Sequence, residues 1–384
     1  MPPDTLQPEL FRPGWGMLPP YLAGRDIQQH ELKQALACLQ TGVSPASGKV
    51  LIGPRGNGKT ALLRWFKQEI ERTGSGIDVV WLTPDKIPDL DALATELAPP
   101  ERFQSLLPDT LSLSLGVGKL GWELGGRPAS LSRLLTQRCR KTPLVVLLDE
   151  AQNLGTGEGQ ALLNSAQEIS AEAPFLLMLA GTPNLSDKLN SLNTTFWERC
   201  QPIAGIGRLD ADACAAALER PLAEYGISFT SEVLDEVVVE SQRYPYFLQL
   251  WGKAIWEQVR NSVGRTRKGG VERIDAALFA AAKPEFERNK NGFYAIRYRQ
   301  LEQTELLPVA REVALTFRER QSLSDSEFRR AITGALPEKP SAEMIKTVSS
   351  ALQGHGYVWA PPDDVMLEPG IPSLMDYVLA KSAL

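Results

Sequence analysis

Eight residues, GPRGNGKT (Gly53 to Thr60), bring together the groups that phosphate binding needs. The pattern G-x-x-x-x-G-K-[ST] is met by Gly53, Gly58, Lys59 and Thr60. Glycines let consecutive backbone N–H groups turn inward around phosphate oxygens. A lysine at this spacing reaches the outer phosphates, and the hydroxyl after it ligates Mg²⁺. The candidate cradle is therefore Gly53, Pro54, Arg55, Gly56, Asn57, Gly58, Lys59 and Thr60, with Ala61 opening the next helix. A second string, PLVVLLDEAQNL, ends an apolar run in Asp149 and Glu150. The first acid suits the water shell of Mg²⁺, and the second can polarise an attacking water. A third apolar run, PFLLMLAG, leads into GTPNL. Thr182 is the favoured sensor of a γ-phosphate there. Asn184 either shares that task or caps a helix. Arg199, in SLNTTFWERCQPIAGIG, either reaches the γ-phosphate of a neighbouring copy or is a surface residue paired with Glu198.

These groups need elements to hold them. KVLI before the glycine loop reads as a strand, and TALLRWFKQEIERTG after it as a helix. Leu62, Leu63, Phe66 and Ile70 share one helical face, and Gly74 marks its stop. IDVVWLTP, Leu144–Leu148 and PFLLMLAG are strand-length apolar runs, the pattern of strands covered on both faces. A helix through Phe196 and Trp197 and a short strand around Ile203 to Ile206 complete the series. The alternation predicts an α/β fold on a parallel sheet.

At 384 residues the chain is long enough for two or three domains. It is 43% hydrophobic and 23% charged, the balance of a globular protein, and its net charge of −5 does not advertise a nucleic-acid binder. The four cysteines form no CxxC, and His30 and His355 lie far apart. This argues against a zinc site and a disulfide framework, and for reduced thiols in a cytoplasmic protein. The N-terminal stretch lacks a signal-peptide profile, and no apolar run reaches the roughly 18 residues of a membrane span.

The order strand, glycine loop, helix, strand, helix, acid-tipped strand, helix, polar-tipped strand, helix, strand resembles the AAA+ and closely related STAND-type ATPases. The likeness is to the prokaryotic, archaeal-type branch of replication initiators and transposition helpers. It implies a P-loop NTPase core using ATP and Mg²⁺. Upstream, GMLPPYLAGRDIQQHELKQAL is similar to the segment that lines the adenine pocket in these ATPases, which would place Tyr21, Leu22 and Arg25 at the base. A Pro-rich surface strap is the alternative reading.

After the core, DADACAAALERPLAEYG and SEVLDEVVVESQRYPYFLQLWGKAIWEQVR read as amphipathic helices and resemble the helical lid of the same ATPases. RYPYFLQLWG is similar to the lid segment whose proline, here Pro245, packs near the nucleotide. Arg243 stands where that segment usually has glycine, either as a lid arginine toward the γ-phosphate or as a turn cap. The Gly-rich stretch with Arg260, Arg265, Arg267, Lys268 and Arg273 reads as a loop, a solvated hinge or a phosphate contact. Three helices and a two-strand ribbon then predict a winged helix, whose target is double-stranded DNA or a protein. Its basic cluster is Arg318, Arg320, Arg329 and Arg330. The expected domains are a core over 1–207, a lid over 208–288 and a winged helix over 289–384. DTLSLSLGVGKLGWELGGRP reads as a β-hairpin insertion near 109–126 that extends the sheet or meets a partner.

Two functional readings follow. In the first, the chain is an ATP-hydrolysing AAA+ protein acting on DNA as a homo-oligomer, each site completed by a neighbour's Arg199. In the second, it is a STAND-type nucleotide-gated switch, for example in a multi-protein defence system, whose winged helix binds a partner protein. A non-catalytic adaptor disagrees with the intact Asp149–Glu150 pair.

Overall fold

The computed structural model describes residues 6–14, 16–98, 123–124, 127–128, 131–203, 205–263, 273–336, 340–361 and 364–382. In chain order, helix α1 (Asp26–Gln40) precedes β1 (Lys49–Ile52), α2 (Lys59–Thr73), β2 (Asp78–Leu82) and α3 (Leu90–Leu97). A two-strand pair, β3 (Glu123–Leu124) and β4 (Arg127–Pro128), is antiparallel. Then come α4 (Leu131–Lys141), β5 (Leu144–Leu148), α5 (Thr156–Ser170), β6 (Phe175–Gly181), α6 (Leu185–Leu192), α7 (Thr194–Arg199) and β7 (Gln201–Pro202). Of the expected hairpin, the alternating residues Leu111 to Val117 lie outside the described residues.

Five strands form one parallel sheet in the order β2-β5-β6-β1-β7. Every residue of β5 and β6 is buried, as their unbroken apolar sequences require of central strands with both faces covered. Edge strand β2 is mostly half-buried. The last strand corrects the sequence reading. It lies at Gln201–Pro202 and not around Ile203 to Ile206. Ile203 N still donates to Val50 O at 3.0 Å, but the paired register runs only from Lys49 opposite Gln201 to Val50 opposite Pro202. Pro202 has no N–H to donate and is tolerated because β7 is an edge.

The chain divides into two compact units. The sheet unit is Gln28–Ile52 with Phe66–Ile203, and its core runs from Val50 through β5 and β6 to Phe196. The other, largely helical unit is Met1–Ile27, Gly53–Trp65 and Ala204–Leu384. It holds α8 (Ala211–Ala223), β8 (Ser228–Phe229), α9 (Ser231–Glu240), α10 (Pro245–Val263), β9 (Arg273–Ile274) and the 28-residue α11 (Ala276–Gln303). This last helix runs unbroken across residue 288, where the lid was expected to end. Trp251 of α10 stacks on Phe279 and Phe286 of α11, ring centroids 4.8 and 4.2 Å apart.

The C-terminal region has the expected element order. Helices α12 (Leu307–Arg318), α13 (Asp325–Ala335) and α14 (Ala342–Gly354) precede an antiparallel ribbon of β10 (Val358–Trp359) and β11 (Glu368–Pro369), and α15 (Leu374–Ser382) closes the chain. Ser324 and Ser341 accept from backbone N–H groups as the N-caps of α13 and α14, and Ser324 with Glu327 makes a full capping box. Among the described residues no helix is long and apolar enough to cross a membrane, and no His, Cys, Asp and Glu cluster could hold a metal ion.

Candidate functional site

The glycine loop belongs to the helical unit, and its backbone is braced on several sides. Gly56 and Gly58 stand at φ 82° and 91°, a region that favours residues without a Cβ. A Cβ on Gly53 would strike Ile206 O, and one on Gly56 the Tyr244 hydroxyl, whereas one on Gly58 would enter open space. Gly53 and Gly56 are thus required by close packing, and Gly58 by its backbone angle. The Tyr244 hydroxyl donates to Arg55 O. Lys59 is buried, and its Nζ donates to Gly53 O and Pro54 O, each at 2.8 Å.

Arg25, expected at the base, is bonded to the loop backbone. It is 5% exposed, and its Nη2 donates to Asn57 O at 3.1 Å and to Gly207 O at 2.7 Å. Burial pulls its pKa down to about 10, opposed by Cys214 and Asp210, so it remains cationic at neutral pH. The guanidinium therefore ties the loop backbone to the chain that follows the sheet. Tyr21 is half-buried, with the Arg220 guanidinium 4.4 Å from its ring centroid, and Leu22 is half-buried beside it.

Arg243 has φ 56° and the preceding Gln242 φ 53°. A glycine at position 243 would adopt this left-handed backbone at no steric cost, and arginine adopts it here against its preference. Pro245, two residues on, opens α10, a position where the missing N–H costs nothing. The C-terminal region also reaches the loop: a Cβ built on Gly356 would lie 3.5 Å from Arg55 N, and one on Gly370 3.5 Å from Pro54 Cγ.

The sheet unit carries the other residues. Ile52, last before the loop, is in register with Gly181, and Leu148 with Leu179, so Asp149 and Thr182 leave the same sheet edge that β1 leaves. Asp149 is buried, and its Oδ1 accepts from Glu150 N at 3.0 Å. Glu150 takes a left-handed backbone, φ 53°. Its Oε2 accepts from Gln152 Nε2 at 2.6 Å, and Gln152 Oε1 accepts from Thr182 N at 3.1 Å. Thr182, 1% exposed, donates through Oγ1 to Asn184 Oδ1 at 2.7 Å. Asn184 occupies the N-cap position of α6 but makes no side-chain cap bond; its carboxamide serves Thr182. A network thus joins the ends of β5 and β6, and Gln152, which sequence reasoning missed, is its centre. Arg199 ends α7, exposed, at the opposite edge of the sheet.

A glycine loop between a strand and a helix, with a buried acid at the end of a central parallel strand, defines a P-loop NTPase fold. Residues 44–189 match the family model described as an AAA domain. In structure the chain is similar to the Walker-type ATPase of Pyrococcus abyssi, at 17% identity and TM-score 0.60, over 98% of this chain and 99% of that one. It is also similar to the ORC2 protein of Aeropyrum pernix in ADPNP–ADP complexes, at 14% identity and TM-score 0.57, over 98% and 100% of the two chains. The ADP form of that protein gives 14% identity and TM-score 0.55. No curated protein matches the chain. The chain therefore has a P-loop NTPase fold shared with these archaeal proteins, with an AAA domain match over residues 44–189.

Proposed function

We propose that the chain binds and hydrolyses ATP with Mg²⁺ in the cytoplasm, assembles as a homo-oligomer and responds to double-stranded DNA. The observation that carries this reading is the Asp149–Glu150 pair wired through Gln152 to Thr182, in a chain that also holds a braced glycine loop. The backbone from Gly53 to Ala61 cradles the phosphates. Lys59 exchanges its two carbonyl partners for phosphate oxygens. Thr60 and Asp149 would hold Mg²⁺, which would neutralise charge on the phosphates. Glu150 accepts the proton of the attacking water, and the Thr182 hydroxyl senses the γ-phosphate. Tyr21 and Leu22 border the base, while Arg25 keeps the loop in shape. Arg243 and Pro245 close the lid, and Arg199 of a neighbouring copy completes the site; such an arginine is worth about 10³- to 10⁵-fold in rate.

The region from residue 289 acts as a winged helix. Arg320 and Arg329 are engaged by Glu327 and Asp325, so Arg318 and Arg330, both exposed, are the cations proposed to meet DNA phosphates. The likeness to Aeropyrum pernix ORC2 in its nucleotide complexes supports the nucleotide half of this reading.

The test is steady-state ATP hydrolysis against protein concentration, with and without duplex DNA, at two salt levels. Hydrolysis should rise steeply with protein concentration and be stimulated by DNA, the stimulation fading with salt. Lys59→Ala should lose nucleotide binding in a titration, and unchanged affinity would sink the loop assignment. Glu150→Gln should bind ATP without turning it over. Arg199→Ala should bind yet be inactive alone, and regain activity when mixed with Lys59→Ala chains.

A further inference from the structure

The segment ahead of α1 is pinned at both ends within the helical unit. At its start it lies along α10. Phe11 is 1% exposed, and a Cβ built on Gly252, in the middle of α10, would lie 2.5 Å from the ring carbon Cδ1 and 2.6 Å from Cγ. A glycine inside a helix costs stability relative to alanine, and the ring resting on it accounts for its presence here. Two further side chains of α10 clamp the backbone just before Phe11. Trp256 Nε1 donates to Gln7 O at 3.0 Å, and Arg260 Nη1 donates to Pro8 O at 2.8 Å. At the other end, the buried Arg25 donates to Asn57 O of the glycine loop and to Gly207 O.

Between these two anchors the strap meets Thr60. Gly16 stands at φ 58°, and a Cβ built there would lie 2.4 Å from Thr60 Cγ2, 3.2 Å from its Cβ and 3.7 Å from its Oγ1. Only glycine lets the strap come this close. Gly14 is also left-handed, at φ 93°, and Met17 N donates to Gly14 O at 3.3 Å. The methyl is thus the part of Thr60 nearest the strap, and the hydroxyl the part farther from it. Methyl and hydroxyl of a threonine turn together about one stiff torsion, so a contact that fixes the one aims the other.

The geometry points to Gly16 as a positioning residue that acts through Thr60, with Phe11 on α10 as its anchor. The strap backs the Thr60 methyl and so sets the direction of the hydroxyl. It thereby ties the lid helix to the hydroxyl proposed to hold Mg²⁺, an ion that demands near-ideal ligand geometry. The inference rests on that reading of Thr60.

The test is equilibrium binding of a non-hydrolysable ATP analogue to the full chain, once with Mg²⁺ and once with EDTA. The unmodified chain should bind more tightly with the metal. Equal affinity there overturns the reading of Thr60 and this inference with it; the remaining outcomes bear on the strap alone. Gly16→Ala should cut the Mg²⁺-dependent gain by about tenfold and leave affinity in EDTA unchanged. Adding Thr60→Ser to Gly16→Ala should restore most of the gain, because serine has no methyl to be struck and its hydroxyl still meets the G-K-[ST] pattern. Alanine at φ 58° is strained equally in both variants, so restoration isolates the contact. Phe11→Ala should lower the gain severalfold, and Phe11→Leu should keep it. A gain unaltered by Gly16→Ala, one not restored by Thr60→Ser, or an equal loss with and without the metal overturns the positioning role. A gain unaltered by Phe11→Ala overturns the anchor.

Discussion

At the scale of single residues, Gln152 changes how the acid pair is understood. Its amide spans Glu150 and the Thr182 backbone, so it reports the position of one strand end to the other. A Cβ on Gly181 would lie 2.6 Å from Gln152 Oε1, which explains a glycine at the end of β6. Gln152→Leu should lower kcat by about tenfold or more with KM for ATP little changed, the signature of a lost positioning contact. Gln152→Glu should also raise the acid limb of the pH–rate profile, because a second carboxylate beside Glu150 disfavours its ionised form. Unchanged profiles in both variants would assign Gln152 a purely structural part. The glycine loop, Asp149, Glu150 and Thr182 were legible because each is a distinctive residue at the end of an apolar run. Gln152 lies in a turn with no periodicity, and its partner is thirty positions away, so nothing local marks it. Arg25 was legible as a member of the site but not in its task, which depends on Gly207, 182 positions later.

Elements were read more securely than their ends. Buried strands β5 and β6 and the amphipathic α2 announce themselves, since Leu62, Leu63, Phe66 and Ile70 are all buried on one face. The edge strand β7 was misplaced because two paired residues leave no alternation to detect. The turn between α9 and α10 shows the opposite case, where residues with a Cβ hold a backbone that favours glycine. Arg243 and Gln242 hold consecutive left-handed conformations, and Leu209 N donates to Arg243 O at 3.0 Å, so the turn cannot relax without losing that bond. Arg243→Gly should stabilise the chain by about 1 kcal/mol in urea unfolding. It should also slow ATP hydrolysis if the side chain serves the lid. Greater stability with unaltered hydrolysis would leave Arg243 as a turn residue alone.

Across the whole molecule, the chain crosses between the two units four times, at 27/28, 52/53, 65/66 and 203/204. Stability of the helical unit should depend on pH through His355. Burial, then Arg55 and Arg297, hold its pKa below the ordinary value, and Thr304 Oγ1 lies 3.4 Å from Nε2. The unfolded chain takes up the proton near pH 6.5, before the folded one does. Below that value the unfolded state binds more protons, so stability falls as pH falls. The melting temperature should therefore drop between pH 7.5 and 5.5, and His355→Gln should make the drop shallower. An equal drop in both proteins would place the pH response elsewhere.

The bracing of the glycine loop also sets an order of events during synthesis. Arg55 finds the Tyr244 hydroxyl 189 residues further along, and its neighbourhood closes only with Gly356 and Gly370. The five strands of the parallel sheet can pair while the ribosome is still translating, but the loop that carries Lys59 waits for Gly356 and Gly370. Contacts of such long sequence separation form late and slowly. A nascent chain released before Gly356 is made would present a paired sheet with the glycine loop still unbraced on that side.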